Sequence, residues 1–269
     1  MPPVGVDEMV WDDMFKNDMI WPDVSEVHEY RKEVYDVVTD TIARHPSLED
    51  ADGRGVAVDQ DHPMWALFMG FENERIHLET SSVLFRETPL EMVQTPPGWP
   101  AMHPSARDGD GDRDGAAPTK AAWPVEGENY PANEMLPVEG AEVRLGKPED
   151  FPSFGWDNGY GQRIAAIPDF RASRHMITNG AYWHFVAASG YRRPEHWCNS
   201  GWAWRTHRNL KWPFFWTQAG PAGSHQYGLR VIFEEIPMRW DWSVDVTYYE
   251  ARVRARAATA RGDGRWVLK

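Results

Sequence analysis

The sequence holds a single cysteine in 269 residues, Cys198. No internal disulfide can form, and nothing in the chain calls for an oxidising compartment. No run of about 18 apolar residues occurs, so no transmembrane helix is expected. The start, MPPVGVDEMVWDDMF, has neither a basic n-region nor an apolar h-region, which predicts a cytoplasmic protein. Positive charge is scarce: 28 Lys and Arg face 41 Asp and Glu, for a formal net charge of −13. Such a surface repels phosphate backbones and anionic bilayers, so nucleic acid and membranes are not expected as partners.

What is present is aromatic and turn-forming. The 15 Trp, 22 Gly and 21 Pro point to short elements and long connections rather than to an all-helical chain. The 42% of hydrophobic residues is enough for an ordinary core. Val27, Tyr30, Val34, Val37, Val38 and Ile42 recur at spacings of three and four, which predicts an amphipathic helix over 25–45, capped by Asp23 or Ser25. A second helix is expected to start near His62 and Pro63 and to stop before Pro89. The two are expected to pack against each other. Residues 104–128, PSARDGDGDRDGAAPTKAAWPVEGE, read as a linker. Its Asp-Gly pairs lack the distal glutamate and flanking helices of a calcium loop. From residue 129 short β-like pieces alternate with Gly, Pro, Asn and Asp, with one helix near Thr178–Ser189. The fold class expected is α+β.

On the second helix Gly70, Asn73, His77 and Ser81 share one narrow face. Asn73 and His77 stand one turn apart, the i, i+4 spacing at which two histidines grip one metal ion. Only one histidine is present. Read without context, the stripe suggests that Gly70 admits a close neighbour and that Asn73 and His77 hydrogen-bond to backbone or water. Elsewhere, Cys198 with His196 in EHWCNS reads as a structural thiol, since adjacency alone does not build a Cys-His nucleophile. GYGQR and RGDGR lack the strand-to-helix setting of a phosphate loop. The tryptophan-dense run GWAWRTHRNLKWPFFW reads as a loop folded over a core, or as the lining of a pocket for a cationic or aromatic ligand. Glu72, Arg75, Glu79 and Arg86 offer helix-surface ion pairs, with Arg75 to Glu79 the expected one.

Several blocks taken together carry a resemblance. They are VGVDEMVWDDM, HPMWALFMGFENERIHLETSSVLFRETPLEMV, YPANEMLPVEGAEVRLGKPEDFPSFGWDNGYGQR, FRASRHMITNGAYWHFVAASGYRRPEHW, RNLKWPFFW and LRVIFEEIPMRWDWSVDV. In this order, from about Val4 to about Glu250, the chain resembles the 5-histidylcysteine sulfoxide synthases of ovothiol biosynthesis. The resemblance implies a DinB-like helical bundle, here partial, over 1–103, a linker over 104–128, and a partial C-type-lectin-like domain of the sulfatase-modifying kind over 129–269. It implies Fe(II) as cofactor, and cysteine, histidine and O2 as substrates joined into a sulfoxide. It implies that His77 is a metal ligand, the second histidine of the family's His-Glu-Arg-Ile-His.

The same resemblance marks departures. Asn73 stands where the family has the first histidine of that pair, and an amide oxygen is a weaker donor than imidazole to iron. Gly159 in WDNGYG replaces the family's glutamate. The family's further histidine ligand lies upstream of the VGVDEM block. The rest of its substrate pocket, with a catalytic tyrosine, follows the segment matched by Val246 to Ala251. The chain is therefore expected to be truncated at both ends. Its last stretch, ARVRARAATARGDGRWVLK, reads as a solvated basic tail. The other reading is a non-catalytic relative that acts as a binding module and self-associates through uncovered helix faces.

Overall fold

A computed structural model describes residues 21–48, 56–99 and 123–260, with backbone alone at 259 and 260. The VGVDEM block, most of the 104–128 segment and the tail beyond 260 lie outside the described residues. Among those described, five helices and seven short strands make an α+β protein. The helices are α1 (Val24–Arg44), α2 (Trp65–Glu87), α3 (Asn179–Ala187), α4 (Asn199–His207) and α5 (Tyr248–Ala260). The strands are β1 (Met135–Val138), β2 (Ala141–Leu145), β3 (Arg163–Ile167), β4 (Phe170–Ser173), β5 (Trp216–Gln218), β6 (Tyr227–Arg230) and β7 (Glu235–Pro237).

The chain forms two compact units. One comprises the residues up to Phe71 together with Gly146–Gln162, and the other Glu72–Leu145 together with Arg163 onward. In the first unit, α1 begins at Asp23, whose backbone N–H donates to the Glu26 carboxylate at 2.9 Å, half of a capping box. The helix ends at Arg44, where His45 and a short 3-10 turn follow. His62 Nε2 meets the Ser47 carbonyl at 2.9 Å, and its Nδ1 accepts from Met64 N at 3.1 Å. These bonds hold the entry to α2. Trp65 donates from Nε1 to the Gly155 carbonyl at 2.9 Å, and its ring and that of Phe68 each lie 6.0 Å from Phe154. That aromatic contact ties α2 to the Gly146–Gln162 excursion.

No residue of α1 or α2 is buried. The apolar stripe of α1 is real, yet Val27, Tyr30, Val34, Val37 and Ile42 are each at least 40% exposed. The two helices thus do not make the core that their periodicity predicts. Gly70 likewise admits no close neighbour, because a Cβ added there would meet nothing within 4 Å.

The core lies in the second unit. Among the described residues the named strands pair antiparallel: β1 with β4, β2 with β3, and β5-β6-β7 as a three-stranded sheet. Tyr182, Phe185 and Val186 of α3, Val253 and Ala257 of α5, and Leu229 and Ile236 of the last sheet are buried together with Tyr191, Trp197, Trp216 and Trp240. The tryptophan run folds over this core, but its first half is helix α4 rather than the loop that one of its two sequence readings expects. Two of its indoles find acceptors: Trp216 Nε1 donates to Asn179 Oδ1 at 3.0 Å and Trp212 Nε1 to the Trp216 carbonyl at 2.9 Å. Buried indoles need such partners.

Candidate functional site

Helix α2 carries the sequence candidates. Asn73 and His77 lie on it one turn apart and both are exposed. Among the described residues neither side chain has a hydrogen-bond partner. The His77 carbonyl accepts from Thr80 Oγ1 at 3.2 Å, which is helix-internal bonding. Among the described residues no group of three or more His, Cys, Asp and Glu side chains could hold a metal ion. An Fe(II) centre with open positions needs about three protein donors, so the described residues do not by themselves fit iron. His62 is occupied in backbone bonds at both nitrogens, and His28 lies exposed on α1.

The ion pairs of α2 differ from the sequence expectation. Arg75 Nη1 pairs with Glu72 Oε1 at 2.6 Å, at spacing i, i+3, rather than with Glu79. Arg86 leaves the helix surface altogether. Its Nη1 donates to Asp245 Oδ2 at 2.7 Å, its Nε to the Arg230 carbonyl at 3.1 Å, and its guanidinium lies 3.7 Å from the centre of the Phe215 ring. A flat, weakly hydrated cation suits such stacking. Arg230 in turn donates Nη2 to the carbonyls of Thr88 at 3.2 Å and Phe85 at 3.4 Å. These carbonyls stand at the C-terminal end of α2, where a cation is favoured. The end of α2 is thereby locked into the second unit, beside a cavity of 270 Å³ lined by Arg86, Trp204, Arg208, Phe215 and Glu250.

Glu250 is the residue that sequence reasoning missed. It is 1% exposed, and its Oε2 accepts from the backbone N–H of Thr247 at 2.9 Å and from the Thr247 hydroxyl at 3.0 Å. Its Oε1 accepts from the Tyr191 hydroxyl. The Tyr182 hydroxyl donates to the Glu250 carbonyl at 3.2 Å. Burial pushes the Glu250 carboxyl above its ordinary value, while the bonds from Tyr191 and Thr247 pull the other way. Burial also raises Tyr191 and Tyr182 well above the ordinary phenol value, so both stay neutral. A signal existed: Thr247-Tyr-Tyr-Glu250 is the S/T-x-x-E capping pattern at the start of α5. The partner Tyr191, 59 residues upstream, carries no such local signal.

Cys198 serves as the N-cap of α4, with its Sγ accepting from Gly201 N at 3.4 Å. This agrees with a structural thiol. Gly159 closes a 3-10 turn over Asp157–Gly159, and a Cβ there would meet nothing within 4 Å. The nearby Lys147 ammonium is held by the carbonyls of Ser153 and Phe154 and by the Ser153 hydroxyl, so it has acceptors without the family's carboxylate.

No helix of the described residues is long and apolar enough to cross a membrane. No protein-family model matches the chain. It is 33% identical over 109 residues to a protein named hercynine oxygenase from Mycolicibacterium thermoresistibile, a match covering 40% of this chain and 23% of that one. It is 35% identical over 131 residues to the hercynine oxygenase of Mycolicibacterium smegmatis, covering 48% and 29%. Ergothioneine biosynthesis protein 1 of Neurospora crassa is 25% identical over 172 residues, covering 62% and 17%. The matched part is thus less than a third of each relative's length. Over that part the chain is similar to proteins named for hercynine oxygenation and ergothioneine biosynthesis.

Proposed function

We propose that this chain is a segment of a non-haem-iron sulfoxide synthase that joins the sulfur of cysteine to the imidazole of histidine, or of histidine's betaine hercynine, with O2. The similarity to the two hercynine oxygenases, at 33% and 35% identity over more than 100 residues, carries the reading. The ordered resemblance from about Val4 to about Glu250 supports the ovothiol-type branch, in which histidine itself is the acceptor. In that reading the residues up to 103 belong to a DinB-like bundle and those from 129 to a lectin-like domain. Iron would supply O2 activation, and His77 is the one described residue of the family's ligand pattern.

The described residues do not complete that centre, so the chain alone is not expected to turn over. The test loads the chain anaerobically with Fe(II), adds cysteine with histidine or with hercynine, admits O2, and looks for a cysteine–imidazole sulfoxide by mass spectrometry. No product is expected from the chain itself, and product there would overturn the view that its site is incomplete. The open reading frame extended on both sides by its genomic sequence, with Asn73→His, is expected to yield product with histidine. If that protein binds iron yet makes no sulfoxide from either acceptor, the sulfoxide-synthase reading is wrong.

A second reading has one observation in its favour, the uncovered apolar stripe of α1 from Val27 to Ile42. In it the chain is a non-catalytic relative that associates with a second copy through this stripe. Sedimentation at rising concentration separates the readings: concentration-dependent dimers that vanish in Val34→Glu support it, and a monomer throughout removes it.

A further inference from the structure

In the second unit a series of aromatic rings runs from the core to the surface. Half-buried Trp212 and buried Trp216 lie 5.4 and 5.1 Å from Tyr227 between ring centres. The Tyr227 hydroxyl stands 3.2 Å from Nδ1 of His225. The His225 ring is 6.2 Å from that of Trp183, whose Nε1 donates to the His225 carbonyl at 3.0 Å. Trp183 in turn meets Trp123 at 5.6 Å, and Trp123 is 47% exposed. A second phenol–imidazole pair borders the same indole: His184 lies 5.3 Å from Trp183, and its Nε2 is 2.9 Å from the Tyr130 hydroxyl. None of these rings belongs to α2, the helix of the iron candidates.

Indoles and phenols give up one electron more readily than other ring side chains, and electron transfer falls off steeply with distance. Rings in near contact therefore pass a hole, the vacancy of a lost electron, in short steps where one long step would fail. A phenol that loses an electron must also lose its proton, and a hydrogen-bonded imidazole nitrogen is placed to take it. Burial keeps both phenols protonated beforehand, with Tyr227 pushed up to about 12 and Tyr130 raised above the ordinary phenol value. A positive hole on buried Trp216 lacks hydration, whereas one on Trp123 faces water. The cost of a buried charge thus drives the hole outward.

We propose that Tyr227, Trp183 and Trp123 form a hole relay that carries oxidising equivalents from the indole core to the surface, with His225 as the proton acceptor of Tyr227. The oxidant is a diffusible one-electron oxidant of the carbonate-radical class, which takes an electron from Trp212 and leaves as carbonate. Tyr227 refills Trp212 and gives its proton to His225, whose tautomer leaves Nδ1 bare. Trp183 then returns an electron to Tyr227, and the proton comes back from His225. Trp123 refills Trp183, loses its indole proton to water, and regains an electron and a proton from a thiol outside the protein. Two such passages leave two thiyl radicals, which join as one disulfide. The Tyr130–His184 pair is a side station on the same indole.

The test places a photo-oxidant at the inner end of the relay. In the whole chain carrying Cys198→Ser and Phe214→Cys, the single thiol is labelled with a ruthenium(II) polypyridyl complex. Phe214 is exposed and lies two residues from both Trp212 and Trp216. Illumination with a cobalt(III) ammine as electron acceptor generates the oxidant in place, and mass spectrometry under O2 locates oxidised tryptophan. Trp21, 54% exposed and in the first unit, reports oxidation through solution. Trp123 is expected to be oxidised several-fold more than Trp21. Trp183→Phe keeps a ring but removes the easily oxidised one, and it is expected to bring Trp123 down to the Trp21 level. Tyr227→Phe is expected to do the same, and it decides alone if circular dichroism shows that Trp183→Phe does not fold. The proposal is overturned if Trp123 is oxidised no more than Trp21, or if either folded variant leaves the oxidation of Trp123 unchanged.

Discussion

Asn73 decides the chemistry of α2 at the residue scale. One turn from His77 on an exposed face, it offers a neutral amide oxygen where an imidazole would complete an i, i+4 pair. Asn73→His is expected to raise Fe(II) affinity at least about tenfold, since each absent donor and its support costs on that order. Anaerobic metal titration of both forms reads this directly, and equal affinities would show that this face of α2 is not a metal site. Gly70, three residues before, makes the opposite kind of case. It sits in an exposed helix interior with open space beside it, so Gly70→Ala is expected to stabilise the protein by about 1 kcal/mol through helix propensity alone. Urea denaturation measures it, and a loss of stability would mean that a neighbour requires the missing side chain. The Asn73–His77 spacing was legible in the sequence because helical periodicity fixes which residues share a face. The emptiness around Gly70 was not, because a small residue on such a stripe looks the same whether a neighbour covers it or none does.

At the scale of elements, what a local rule governs was readable and what a distant partner governs was not. The boundaries of α1, α2 and α3 fall within a few residues of those predicted, since Asp23, Pro63, Pro89 and Thr178 act on their own neighbours. The pairing of Arg86 with Asp245, 159 residues away, and the Arg230 side chain on the carbonyls ending α2 have no short-range signature, so local spacing suggests no more for Arg86 than an ion pair on the helix surface. Helix α5 shows both cases at once. Its start is a Thr247–Glu250 capping box, yet the Glu250 carboxylate in it is buried and is bound by one further group, the Tyr191 hydroxyl. Thr247→Ala is expected to cost about 1–2 kcal/mol, the upper part of the range for a lost cap, because the buried carboxylate also loses a donor. Thr247→Ser keeps the hydroxyl and is expected to be nearly neutral. If chemical denaturation finds the two variants alike, the hydroxyl is not what holds the start of this helix.

For the whole molecule, the consequence of that buried network is a pH-dependent stability opposite in sign to the usual carboxylate case. A surface or salt-bridged carboxyl has a lowered pKa and adds stability as pH rises. Glu250 is raised above 4.5, chiefly by burial and against the opposing bonds from Tyr191 and Thr247. Between 4.5 and that raised value the folded state holds more protons than the unfolded one, so the slope of unfolding free energy with pH is negative. Its contribution is therefore fully present below the ordinary carboxyl value and is lost as pH rises through the raised one. Glu250→Gln removes the titration while keeping an oxygen for Thr247 and an amide that can donate to Tyr191. The stability of the parent relative to Glu250→Gln is thus expected to fall as pH rises from about 4 toward neutrality and then to level off. The other acidic groups, part of the net charge of −13, are the same in both proteins and cancel in the difference. Urea denaturation of the pair at several pH values reads it. A difference that grows with pH would mean that the bonds from Tyr191 and Thr247 outweigh burial, making this carboxylate a stabilising anion rather than one the core resists.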